Sequence, residues 1–519
     1  DDVFFDQNAG FVAPGEQVVV NVSLAFCRNM DWTGVLNTPD MTGTDQNGLY
    51  VFGSLKFVPD MTLTFGGEVH FMARSAGKTI MSAGKSFINL VFFDGNGGGW
   101  TLLDAFHAQK NIRHLDGALN TNGQDVTAGY AFVSTGPPSR SLHFGSSNIY
   151  VGAGSVLCPA FGIEGTFDFD AGTSTIHLTS PSPTCGDGFN GGNQTYYDLI
   201  CEVLTLVTGN NSFHSATFLD DAQIFGDNHY DNLTFSAGHV YELAAGSIQT
   251  INPGGTLDAD GICTDYVTIV SQSAGNAAQI EKASGTVAVN YAVLQDIHAV
   301  GGATFNAANS ADLGNNAGWN FLPVVSRTLY WVGGGGNWND VAHWSLSSGG
   351  AGGECIPTPF DDVFFDQNAG FVAPGEQVVV NVSLAFCRNM DWTGVLNTPD
   401  LTGSDQNGMY VFGSLKFVPG MTLTFGGEVH FMAHSTGKTI ISAGKSFINH
   451  VFFDGNAGGW TLLDAFHGQK NIRHLDGALN TNGQDVTADF AFASTGPPSR
   501  SLHFGSSNIY VGAGSVLCP

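Results

Sequence analysis

The chain has 519 residues, 43% of them apolar and 70 of them glycine, which is core material for several domains or one long solenoid. Its glycines lack the strict triplet of collagen, and with 40 Phe they point to strands broken by tight turns rather than to helices. Forty-five acidic against 17 basic residues give a formal charge of −28, which argues against nucleic acid and anionic membranes as partners.

In chain order, the first pattern is a short alternation. Residues 17–26 put Val18, Val20, Val22, Leu24 and Phe26 on one face, a period of two. Residues 61–73 repeat it with Met61, Leu63 and Phe65, then Val69 and Phe71. Leu142/Phe144, Ile149/Val151, Phe167/Phe169 and Ile176/Leu178 come next, divided by turn clusters such as GNGGG and NTNG. Residues 104–119 have a faintly helical look, but Gly and Asn close in on it and strand is preferred. In residues 231–320, DNLTF, GSIQTI, DYVTIV, GTVAVNY and GGATF read as very short strands. Val267/Ile269 and Val287/Val289 lie 20 residues apart, which reads as one coil of a parallel β-helix. Coils of about 20 to 25 residues spaced by about 4.8 Å give roughly 15 rungs, on the order of 70 Å, per unit. No apolar run approaches the length of a membrane helix, so no membrane insertion is expected.

Residues 323–360 change in kind, packing Trp331, Trp338 and Trp344 among glycines ahead of Pro357 and Pro359. Past Phe360 the chain copies its own beginning: residues 361–519 repeat 1–159 at an offset of 360, with 13 differences in 159 positions. The expected fold is therefore all-β, with right-handed parallel β-helix blocks in tandem. A first block spans 1–322, a Trp/Gly-rich junction 323–360, and a second, shortened copy 361–519. The chain reads as a window on a longer tandem protein.

One unit carries six cysteines, an even number without CxxC or Cys/His clusters, which points to an oxidising, extracellular compartment. Cys355 and Cys387 flank the junction and are the expected bridge. Cys158 with Cys185, and Cys201 with Cys263, are the remaining candidate pairs.

Each candidate site has a plainer reading beside it. The three junction tryptophans can stack on sugar rings, or they can cap an end rung that otherwise exposes apolar side chains and unpaired backbone; the cap is preferred. FFDQN (4–8), FFDGN (92–96) and LDADG (257–261) can hold calcium through oxygen ligands, but none matches a complete calcium loop, and turn shaping is preferred. No cofactor is expected. Asp104, Asp116, Asp296 and His298 are available for polysaccharide cleavage, yet no carboxylate cluster recurs at coil spacing and basic residues are few. His107, His114 and His143 read as decoration of turns and faces rather than as metal ligands. The NxS/T triplets at Asn21, Asn193, Asn210 and Asn232 matter only in a host that glycosylates them.

The run 331–359, the adjoining DDVFFD (361–366) and the closing GGATFNAANSADLGNNAGWNF (301–321) together resemble the repeats of giant secreted surface proteins. Such proteins occur in gliding and filamentous bacteria that use the type 9 secretion route. The resemblance implies adhesin stalks or attachment filaments at the cell surface, some built as bundles of several parallel chains, with no catalytic residues to carry over. The expected role is a stiff extracellular spacer, not an enzyme, whose partners are its own neighbouring repeats. A carbohydrate-binding module, with surface glycans or other cells as partners, is the first alternative; a polysaccharide-degrading β-helix is the second.

Overall fold

The computed structural model describes residues 1–152, 159–179, 188–322 and 325–512. The protein is a β-solenoid of about 22 turns with about 1% helix. Among the described residues its helical content is a single 3-10 turn, Val341–His343, in the junction. Strand pairing among the described residues is parallel, apart from an antiparallel pair in the junction (Tyr330↔Ser345, Trp331↔Trp344) and one isolated bridge, Ile262↔Asp265.

The alternating pattern builds inward columns. Leu49 lies opposite Val69, Val69 opposite Val91, Val91 opposite Ile112 and Ile112 opposite Phe132, so one ladder position recurs every 20 to 22 residues. Rings stack along these columns at about the inter-strand spacing: Phe71 on Phe93 at 5.0 Å, Phe87 on Phe106 at 4.9 Å, Phe161 on Phe189 at 5.1 Å. Each such pair adds about 0.5 to 1.5 kcal/mol beyond the apolar area it buries. Polar ladders serve the corners. Asn228 Oδ1 accepts from the Asn211 amide at 2.9 Å, and the Asn228 side chain donates to Gln249 Oε1 at 3.2 Å.

Two expectations need correction. Val267 pairs with Ala292, whereas Val287 pairs with Phe305 in another sheet. Their 20-residue spacing thus separates two faces of the winding and is not a coil period. Residues 104–119 are strand rather than helix, as their flanking Gly and Asn suggest: Phe106–Ala108 and the start of Ile112–Asn120 lie here, and Asp104 caps the Ser82 and Ala83 amides one coil away. Rungs are also not all short. Val91–Leu102 runs 12 residues, with its register slipping at Asp94 and Gly99 as the chain turns a corner. At that corner Gly117 has φ +83°, and a Cβ there would lie 2.6 Å from the Gly95 carbonyl oxygen; the tight turn requires glycine.

His114 sits wholly inside, facing Ser134 Oγ at 3.0 Å and the Gly117 carbonyl at 3.0 Å. Burial pulls its pKa down to about 4, against the Gly117 hydrogen bond, and burial lowers its counterpart His474 as well. Below its ordinary pKa the unfolded chain therefore binds more protons than the folded one. Stability from this group is complete above pH 6.5 and is lost as pH falls toward 4, by about 3 kcal/mol. Urea titrations between pH 7 and 4.5 should show that slope. His114→Gln with His474→Gln should flatten it, and an unchanged slope would contradict the assignment.

Candidate functional site

The ladder of the first block closes with Trp319–Phe321. A second stack then starts afresh on Thr328–Trp331, which pairs with Asp362–Phe364. The chemistry-bearing residues gather at the seam between the two stacks.

One part of the seam is a cap. Trp331, Trp338 and Trp344 are all fully buried. Trp344 stands nearly perpendicular to Trp331 at 5.1 Å and to Trp338 at 4.9 Å, and Trp331 lies 5.7 Å from Phe365. The indole N–H of Trp331 donates to the Gly334 carbonyl, and that of Trp344 to the Trp338 carbonyl. Beneath them Val363, Phe365, Val378 and Val380 have no exposure. A sugar-stacking platform needs open aromatic faces, and these residues offer none; the glycan-contact reading of the three tryptophans is corrected. They close the first rung of the second stack.

A second part is a buried ion pair. Asp361 is inaccessible and receives the Arg327 guanidinium at 2.6 Å. It also accepts the Arg327 amide, the Thr358 amide and the Thr358 hydroxyl, at 2.8, 2.8 and 2.7 Å. Arg327 passes further hydrogen bonds to the Cys355 and Ile356 carbonyls. The Arg327 pKa is raised: burial is the largest single influence and opposes its charge, but the Asp361 hydrogen bond and the negative charge of Asp361 and its surroundings together outweigh it. Asp362 pairs with Arg388, which reaches Ser326 in turn.

The third part is lateral. Tyr266, Val293, Ala311 and Leu313 of the first stack bury themselves against Phe386, Phe412 and Met432 of the second. Tyr266 meets Phe386 at 5.3 Å, ring edge to face. Residues 238–240, 264–266 and 268 lie beside Ile356 and 382–384. Farther along, Ser310, Asp312 and Phe321 line a cleft of about 320 Å³ with Arg388, Phe412, His434 and Lys438. Later coils of one stack thus meet later coils of the other, so the two stacks run the same way and overlap side by side.

A disulfide fixes this overlap. Cys263 is bonded to Cys355, with Cα atoms 5.7 Å apart. The expected pairs Cys355–Cys387 and Cys201–Cys263 are thereby corrected. Cys387 points into the core ladder opposite Val411, and Cys201 lies opposite Leu178. Both thiols are buried and unbonded, and burial pushes Cys201 up to about 12. Cys158 and Cys185 lie outside the described residues. Cys355→Ser should destabilise the chain by about 2 to 4 kcal/mol in equilibrium unfolding, the usual range for a native bridge. No difference between oxidised wild type and the variant would show that the bond does not hold the seam.

The other candidates stay apart. Asp6 accepts the Asn8 amide at 2.8 Å, a turn-shaping role. Asp94 sits in a strand, and Asp258 closes one. Among the described residues the group with metal-ligand proximity is Asp220, Asp221 and His239, which sequence reasoning did not single out. The spacing of 18 to 19 residues, about one coil, was the available signal. Asp221 already accepts the Val240 amide. Asp104 and Asp116 lie in one part of the ladder, and Asp296 and His298 in another, far along the chain. Asp116 accepts the Gly117 amide, and Asp296 the Gly275 amide and the Asn315 side chain. His107 faces Ser86, and His143 faces Asp168. No helix is long and apolar enough to cross a membrane among the described residues.

No family model, no curated protein and no solved structure matches the chain.

Proposed function

We propose that the chain is a structural repeat segment of an extracellular adhesin or attachment filament of a bacterium, a stiff spacer rather than an enzyme. The observation that carries this reading is the parallel ladder itself: a 20-stranded sheet in the first stack and a second stack lapped onto it. Every rung is hydrogen-bonded to its neighbours along the axis, which suits a rod that bears load. Near-identity of the copies fits a part whose product is length; an enzyme gains little from repeating its site letter for letter. The Cys263–Cys355 bond supports an oxidising compartment. The resemblance of 301–321, 331–359 and 361–366 to secreted surface repeats supports the cell surface as its place.

Electron microscopy of the native particle tests the reading. A thread or bundle with a regular axial repeat is expected, and compact particles without one would overturn it. On a glycan array, the isolated chain should give flat signals across all sugars. Strong selective binding would favour a carbohydrate-recognising module instead.

A further inference from the structure

The two copies are the same text in two environments, which makes each a control for the other. Phe386 is 1% exposed, whereas its counterpart Phe26 is 62% exposed. Phe412 and Met432 are buried, while Phe52 and Met72 are only half-buried; Leu384 is half-buried, while Leu24 is open. None of the 13 differences falls on these residues. The end rung tells the same story. Val363, Phe365, Val378 and Val380 are sealed, and Val3, Phe5, Val18 and Val20 are partly open. Val19, Val22, Leu24 and Phe26 are each about half exposed or more, a run of apolar side chains that a soluble surface rarely leaves uncovered without an interaction to serve.

We infer that this flank of the first stack is a docking surface for a second copy of the chain's own residues 231–356, seated as those residues seat 384–432 here. The occupant is named by the fold. Tyr266, Val293, Ala311 and Leu313 supply the matching apolar face, and a copy of 328–345 would cover the partly open end rung as 328–345 covers 363–380. Charge agrees with shape. Arg28, Arg74 and Lys78 cluster at the rim of the open flank, in a chain with only 17 basic residues. Their counterparts Arg388, His434 and Lys438 line a cleft shared with Asp312. The contact joins two different faces, so repeating it does not give a two-fold dimer but a head-to-tail array, a ring or an open filament. This deepens the spacer reading by naming its partner, and it rests on that reading only for its purpose, not for its geometry.

Hydroxyl-radical footprinting reads the exposure of the native Phe and Met side chains without a mutation. In the 519-residue chain Phe26 should be modified much faster than Phe386. In a chain lengthened by a copy of residues 160–360 placed before Asp1, as Phe360 precedes Asp361, Phe26 and Met72 should slow roughly tenfold, to the rates of Phe386 and Met432. Unchanged rates would overturn the inference. A second arm needs no extension. Phe386→Asp in the full chain frees the face around Tyr266, so sedimentation should show head-to-tail association near about 100 μM that Phe26→Asp abolishes. A chain that keeps its strand content yet stays monomeric would count against the docking surface. Protected Phe26 in a particle that images as a globule would spare this inference and sink the spacer reading, so the two can fail separately.

Discussion

Trp344→Ala is expected to unseal the second stack while leaving the first intact. The indole touches Trp331, Trp338 and Phe365 and is wholly buried. Truncating so large a core side chain costs about 3 to 5 kcal/mol, the cavity included. In a solenoid each coil is held mainly by its neighbours, so the damage should spread from the end rung. Amides of Asp362–Phe364 and Gln377–Val380 should exchange faster with deuterium, and those of Asn228–Phe235 should keep their protection. Should 377–380 keep its protection in the variant, the tryptophans are not a cap.

Asp361→Ala should be as severe, for an electrostatic reason. The carboxylate accepts from Arg327, from the Thr358 amide and from the Thr358 hydroxyl. Removing it leaves a guanidinium largely desolvated and unpaired, and breaking a buried pair costs about 3 to 5 kcal/mol. Asp1→Ala removes the same letter from an exposed position and should stay within about 0.5 kcal/mol. Denaturant midpoints of the two variants decide the matter, and equal effects would mean that the pair with Arg327 contributes nothing particular to the junction.

The fold was legible because burial follows letters. Val69, Phe71, Val91 and Phe93 alternate, and the structure stacks them. The expected reach of a coil held along 49–132, where each turn spends a similar number of residues. It misled at Val267 and Val287, since period-two text marks every face of a coil alike and only pairing tells which face is which. Closeness along the chain favours Cys387 as the partner of Cys355. The chain instead brings Cys263 back across 92 residues, and Cys387 serves the core as a small apolar group. The lateral contact between the stacks leaves no mark in the sequence. Phe26 and Phe386 are spelled alike with alike neighbours, and what separates them is a surface contributed from elsewhere in the fold.

The side-by-side overlap has a mechanical corollary. Tension applied along two rods that lie alongside each other in the same direction slides one past the other. Tyr266, Val293, Ala311 and Leu313 would then resist together, as rivets in a lapped plate do, instead of yielding one after another as in a joint pulled open from its edge.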